Sequence, residues 1–87
     1  MSRVVYKYRV DGFVNYYTVP APAKPLFFAL QGGTPYVWVE HPINSEEAVE
    51  LIFVTVGTGH VIPEGAEHIG SLIDGAFVWH LYYKAES

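Results

Sequence analysis

Val4-Val5-Tyr6-Lys7-Tyr8-Arg9-Val10-Asp11-Gly12-Phe13-Val14-Asn15-Tyr16-Tyr17-Thr18-Val19 is a run of β-branched and aromatic residues interrupted only at Asp11-Gly12. Asp-Gly suits a two-residue hairpin loop, in which both central positions need positive φ. The loop length then predicts a register. Val10 faces Phe13, Tyr8 faces Asn15, Tyr6 faces Tyr17 and Val4 faces Val19, all on a core side. Arg9 with Val14, Lys7 with Tyr16 and Val5 with Thr18 occupy a side turned to solvent or ligand. On this reading the chain opens as a β-hairpin.

Working outward, Pro20-Ala21-Pro22-Ala23-Lys24-Pro25 is too proline-rich to contribute N–H groups to a ladder and reads as an extended connector. Leu26–Gln31 and Thr34–Glu40 flank Gly32-Gly33, a second hairpin signal that pairs Phe27 with Trp38, Phe28 with Val37 and Ala29 with Tyr36. Both faces of this ribbon are apolar, so both should be covered. After a polar loop, His41–Glu47, the apolar run Ala48–Val56 reads as a buried strand. A helix over Ser45–Phe53 is the alternative, disfavoured by the Val-Thr-Val ending and Gly57. Ile62-Pro63-Glu64-Gly65 has the order of a type I turn, with an irregular helical turn at Glu64–Glu67 as an option. His68–Ile73 and Ala76–Lys84 flank Asp74-Gly75, predicting a third hairpin that pairs Ile69 with His80 and Leu72 with Phe77. Ala85-Glu86-Ser87 reads as a short polar tail. The sum is an all-β, single-domain chain: a small antiparallel sandwich or barrel of about seven strands built from three hairpins.

Composition narrows the function. The 87 residues are half apolar and 16% aromatic, with seven Tyr, five Phe and two Trp. That is more ring surface than a core of this size hides, so some rings should line a groove or a subunit contact in a homo-oligomer. There is no cysteine, which removes disulfides, thiolate metal sites and cysteine nucleophiles. The start, Met1-Ser2-Arg3, lacks a signal-like apolar run, and no segment reaches the roughly 20 apolar residues of a membrane span. The cytoplasm is the expected compartment. Net charge is −4, with five Lys and Arg. A nucleic-acid polymer, which needs clustered cations, is therefore not an expected partner, whereas a small anionic ligand needs only two or three donors.

Within this frame the chemistry-bearing residues are few. Gly57-Thr58-Gly59-His60 could offer successive N–H groups, a hydroxyl and an imidazole to a phosphate; the plainer reading is that the glycines supply positive φ at a strand end. His41, His60, His68 and His80 show no metal-ligand spacing, though His60 and His80 could meet beside the third hairpin; no metal or cofactor is expected. Tyr36-Val37-Trp38 and Val78-Trp79-His80 put an indole on each of two strands. Either ring could stack a planar base or simply pack in the core. Lys7 and Arg9 could grip phosphate or merely solvate their face. For catalysis the residues offer little. Gly70-Ser71-Leu72 lacks the setting of a nucleophile elbow, and Glu46, Glu47 and Glu50 form the one carboxylate cluster without an evident partner. A non-enzymatic protein is expected.

Taken together, Tyr6-Lys7-Tyr8, Pro35–Val39, Val56–His60, Ile62-Pro63, Ile69-Gly70 and Val78–His80 resemble a family of small phage and prophage proteins of uncharacterised function. The resemblance spans nearly the whole chain and brings a context rather than catalytic residues. It implies a homo-oligomer that sequesters a nucleotide-like immune signalling molecule without turning it over. Trp38 and Trp79, with His80 beside the latter, would take the base; Thr58, Gly59 and His60 the phosphate; and Lys7 and Arg9 the charge. An inhibitor docking on a host protein through exposed aromatics, or a virion or assembly component, are the alternatives.

Overall fold

A computed structural model describes residues 2–86 as seven antiparallel strands: β1 (Arg3–Arg9), β2 (Val14–Pro20), β3 (Lys24–Gln31), β4 (Thr34–Pro42), β5 (Ala48–Gly57), β6 (Glu67–Asp74) and β7 (Phe77–Glu86). They form two separate sheets, β1-β4-β3 and β2-β5-β7-β6, so the architecture is a sandwich rather than a closed barrel. The described residues contain no helix, and Glu47 N donates to Ser45 Oγ at 3.1 Å in a local turn where a helix start was the alternative. No helix is long and apolar enough to cross a membrane.

The opening hairpin does not form. β1 pairs with β4, from Arg3 opposite Pro42 to Arg9 opposite Tyr36, while β2 pairs with β5, from Val14 opposite Val54 to Pro20 opposite Ala48. The reason lies in the dihedrals. Neither Asp11 nor Gly12 adopts positive φ, so the mirror-image turn that would return the chain onto itself is absent. Instead the link from Val10 to Phe13 carries the chain from one sheet to the other. It is tied to both: Val10 N donates to Pro35 O at 3.0 Å, and Thr55 N to Phe13 O at 2.9 Å. Much of the expected facing survives this change of partner, because alternation along a strand does not depend on what pairs with it, but Tyr6 and Phe13, expected on the core side, are 55% and 68% exposed. Val10 and Val19 are buried, while Lys7, Arg9, Val14, Tyr16 and Thr18 are exposed. Tyr8 and Tyr17 meet across the core with ring centroids 4.9 Å apart, and Tyr17 Oη donates to Arg9 O.

The Gly32-Gly33 hairpin has the predicted register, with Phe27 opposite Trp38, Phe28 opposite Val37 and Ala29 opposite Tyr36. Both glycines have positive φ, 58° and 81°, as the turn demands. Only one face of this ribbon is covered. Phe28, Val37 and Val39 are buried, whereas Phe27 is 57% exposed. The proline-rich segment is not wholly outside the ladders: Pro20, Lys24 and Pro25 all have strand partners. They lie on β2 and β3, each at a sheet edge, where a missing donor costs least.

The third hairpin turns one residue later than expected. Gly75 has φ of 60° and Asp74 does not have positive φ, so the turn centres on Gly75-Ala76 with glycine first. Leu72 then faces Trp79 and Ser71 faces His80, replacing the predicted Leu72–Phe77 and Ile69–His80 pairs, and an irregularity between His68 and Gly70 absorbs a residue. The earlier turn also shifts. Ala66 N donates to Pro63 O at 3.3 Å, with Glu64 and Gly65 central and Gly65 at φ 73°, the position where a type II turn requires glycine. Ala85 and Glu86 belong to β7 rather than to a tail, and Ser87 lies outside the described residues.

The core sits between the sheets around Phe53, Leu51 and Leu81, with Val10, Val19, Phe28, Val37 and Val39. One polar side chain is buried with them. His41, 3% exposed, donates from Nδ1 to Pro42 O at 2.8 Å and accepts the Tyr8 hydroxyl at Nε2, also at 2.8 Å. Both ring nitrogens are satisfied, which is what lets an imidazole sit in an apolar layer.

Candidate functional site

The sandwich has two outer faces, and they differ in chemistry. On the three-stranded sheet, Val37, Val39 and Phe28 point into the core. Their alternates on β4 and β3, together with the odd-numbered residues of β1, therefore share the outer face. The pairings order that face into rows. Val5, Glu40 and Lys24 make one row; Lys7, Trp38 and Phe27 the next; Arg9, Tyr36 and Ala29 the third. Arg3 completes the set, its Nε reaching Glu40 Oε2 at 2.6 Å. Four of the chain's five Lys and Arg (Arg3, Lys7, Arg9 and Lys24) thus stand on one face with three aromatic rings, the Glu40 carboxylate and, beside Arg9, the carboxylate of Asp11. The fifth, Lys84, pairs with Ile52 on the other sheet.

Trp38 is the centre of this face. Its ring lies 5.5 Å from Phe27 and 6.1 Å from Tyr36, centroid to centroid. Lys7 Nζ sits 4.5 Å over the Tyr36 ring and donates to Gln31 Oε1 at 2.7 Å, so the ammonium is held beside the aromatic platform rather than free in solvent. Arg9 makes only a loose ion pair, 3.6 Å to Asp11 Oδ2 with both side chains half exposed, which an incoming anion can displace at little cost.

The other predicted residues lie elsewhere. Thr58, Gly59 and His60 form the turn after β5, and Trp79 and His80 sit on β7 beside it. His60 folds back on the turn: Nδ1 accepts Gly57 N–H at 3.2 Å, and His60 N donates to Gly57 O at 3.1 Å. Gly59 supplies the positive φ, 89°, and at Gly57 a Cβ would come within 3.1 Å of the His60 ring. The turn is therefore closed on itself instead of presenting an open row of donors. His80 does not meet His60. It bonds Ser71 Oγ at 2.6 Å and Thr58 Oγ1 at 3.3 Å, and Ser71 in turn reaches His68 Nε2 at 3.1 Å. This chain of hydroxyls and imidazoles runs across β6 and β7 on the exposed side of the four-stranded sheet.

Trp79 faces the open end of the sandwich, with Phe77 stacked at 5.8 Å and Phe13 edge-on at 6.5 Å. Two clefts flank it, about 500 Å³ against Val10, Phe28 and Thr55, and about 320 Å³ against Gly57, Thr58 and His60. The larger of the two carries Asp11 and Asp74 on its rim and no cation. Charge disfavours an anion there. The predicted set thus divides: Lys7, Arg9 and Trp38 come together on the three-stranded sheet, and Thr58, Gly59, His60, Trp79 and His80 cluster around the end of the other. Sequence reasoning did not place Arg3, Lys24, Phe27 or Tyr36 in the site. The Phe27–Trp38 and Ala29–Tyr36 pairs were readable from Gly32-Gly33, but the β1–β4 pairing that adds the cations was not. No cluster of three or more His, Asp or Glu that could hold a metal occurs among the described residues.

No curated protein matches the sequence, and no solved structure matches it either. The family described as a domain of unknown function (DUF7352) matches residues 1–87, the whole chain, and the protein belongs to that family.

Proposed function

We propose that this protein is a non-catalytic binder of a small anionic ligand with a planar ring, of nucleotide type, taken on the outer face of the three-stranded sheet. The observation that carries the reading is the collection of Arg3, Lys7, Arg9 and Lys24 around Trp38, Tyr36 and Phe27 on a chain whose net charge is −4. Cations gathered on one face make a local field that favours an anion, and an aromatic platform beside them adds stacking of roughly 1–3 kcal/mol per base. In the phage context that the sequence resemblance implies, such a protein would sequester a nucleotide signal of the host's defence in the bacterial cytoplasm. The roles divide as Trp38 for the base and Lys7 and Arg9 for phosphate.

Self-association is supported by the opposite face. β5 carries apolar residues on both sides: Leu51 and Phe53 fill the core, and the half-buried Ile52 and Val54 lie on the outer surface beside the exposed Val14 and Tyr16. A strand apolar on both sides usually has both sides covered. The test is native mass spectrometry with a panel of mononucleotides, cyclic di- and trinucleotides and ADP-ribose derivatives. A retained, chemically unchanged compound that is lost on Trp38→Ala supports the reading; indifference to the whole panel refutes it and favours a host protein as target.

A further inference from the structure

The larger cleft beside Trp79 differs in charge and shape from the cationic face of the three-stranded sheet. It holds about 500 Å³ and opens between the two sheets where the β3–β4 turn, the β6–β7 turn and the Val10–Phe13 link gather. Small-molecule sites span roughly 300–1,000 Å³. Both sheets supply its walls, with Phe28, Leu30 and Pro35 on the three-stranded side and Phe13 and Trp79 on the other. Phe28 reaches it from the core side of the sheet whose outer face carries Trp38, so the two places are distinct. The Phe13 and Trp79 rings meet at 67° and form an aromatic corner. Phe77, stacked on Trp79, lines the smaller cleft and not this one. The link that brings Phe13 here is fixed at both ends, by Val10 N donating to Pro35 O and Thr55 N donating to Phe13 O.

The two carboxylates of the rim are not equivalent. Arg9, which is outside the lining, stands 3.6 Å from Asp11 and offsets its charge. Asp74 enters no ion pair among the described residues. One uncompensated negative charge therefore borders an apolar, aromatic hollow. An anion would be repelled there. A neutral apolar body would suit the walls, but it would strip water from Asp74 and give nothing in exchange. A cation with an apolar body meets both demands, and the ring faces of Phe13 and Trp79 attract positive charge as well. We propose that this cleft is a second binding site, which takes a small organic monocation: an amine or quaternary ammonium carrying a ring or a short branched chain. The apolar body lies against Phe28, Leu30 and Trp79, and the ammonium sits at Asp74.

Three probes of one shape and different charge test this: phenethylamine, 2-phenylethanol and 3-phenylpropanoate, titrated into the ¹⁵N-labelled protein and followed by NMR. The two indole N–H signals report the two places separately. Phenethylamine should move the Trp79 indole and the Phe13 amide while the Trp38 indole stays in place. It should bind at least threefold tighter than the alcohol, with the carboxylate weakest, and added salt should shrink its advantage. Asp74→Asn should abolish the preference for the amine, and Asp74→Glu, which keeps the charge, should retain it. Equal binding of amine and alcohol, or a preference that survives Asp74→Asn, overturns the assignment. So does a Trp79 signal that ignores phenethylamine at millimolar concentration. Nucleotide binding on the outer face stands or falls separately from all of these outcomes.

Discussion

The pairing of β1 with β4 puts the Tyr8 hydroxyl on a buried histidine, and Tyr8→Phe tests that arrangement with one atom. His41 is 3% exposed, and its Nδ1 is committed to the Pro42 carbonyl, so Nε2 depends on Tyr8 for its partner. Deleting the hydroxyl leaves a buried acceptor without a donor, a loss of about 1–3 kcal/mol. A chain of 87 residues has a total stability of only about 4–13 kcal/mol at typical values per residue. For domains of this size each kcal/mol moves Tm by about 4–8 °C, so a loss of about 2 kcal/mol lowers it by about 8–16 °C. Thermal and urea unfolding followed by circular dichroism would read both quantities. A double-mutant cycle with His41→Leu makes the test specific. If the two side chains touch, their coupling should reach about 0.5–3 kcal/mol. In the hairpin register Tyr8 would face Asn15 and lie far from His41, and the coupling would vanish. A Tyr8→Phe cost below about 0.5 kcal/mol, or a cycle without coupling, would refute the strand order and with it the cationic face.

Other outcomes follow from the same structure. Thr55 Oγ1 is buried without a hydrogen-bond partner, so Thr55→Val, which keeps the shape and removes the orphaned hydroxyl, should raise stability by about 1 kcal/mol or more in urea melts. Phe53→Ala empties the fully buried centre of the core and should cost about 3–5 kcal/mol, enough to leave the protein largely unfolded at moderate urea. Burial, together with the Glu67 carboxylate beside it, pushes the Tyr83 phenol up to about 12 from the ordinary value of 10.0. The fold therefore favours the neutral phenol. That contribution is whole below pH 10 and disappears as the pH climbs toward 12, so Tyr83→Phe should flatten the loss of Tm across that window. Gly59 holds φ of 89°, so Gly59→Ala should lower stability by about 1–2 kcal/mol while leaving intact the nucleotide binding proposed for the opposite sheet, measured by melting and by titration.

What could be read from the sequence depended on how local the cause was. Gly32-Gly33 announced its hairpin because two adjacent glycines can both take positive φ, and the pairs around it followed from counting. Asp11-Gly12 carries a similar signal but spends it on a crossing between sheets. What decides this is a contact with Pro35 and another with Thr55, neither visible from the local residues. The inside–outside alternation of Tyr8 and Lys7, or of Tyr17 and Tyr16, was legible without knowing any partner. The site shows the same division. Lys7, Arg9 and Trp38 were recognisable by type, but Lys7 and Arg9 were set beside Tyr16, which lies on the opposite sheet. Only the tertiary pairing of residues more than 25 positions apart joins them to Trp38 and Tyr36.

That long separation has a consequence for how the molecule comes into being. β1 is made well before its partner, since Arg3 must wait for Pro42. The β3–β4 hairpin closes over two glycines and can form on its own, whereas docking β1 on it means closing a loop of roughly 30 residues, with an entropic cost to match. Lys7 and Arg9 therefore reach Trp38 and Tyr36 only after that hairpin has closed. Until then the aromatic hairpin stands without its charges, and the proposed anion site is complete only once β1 has docked.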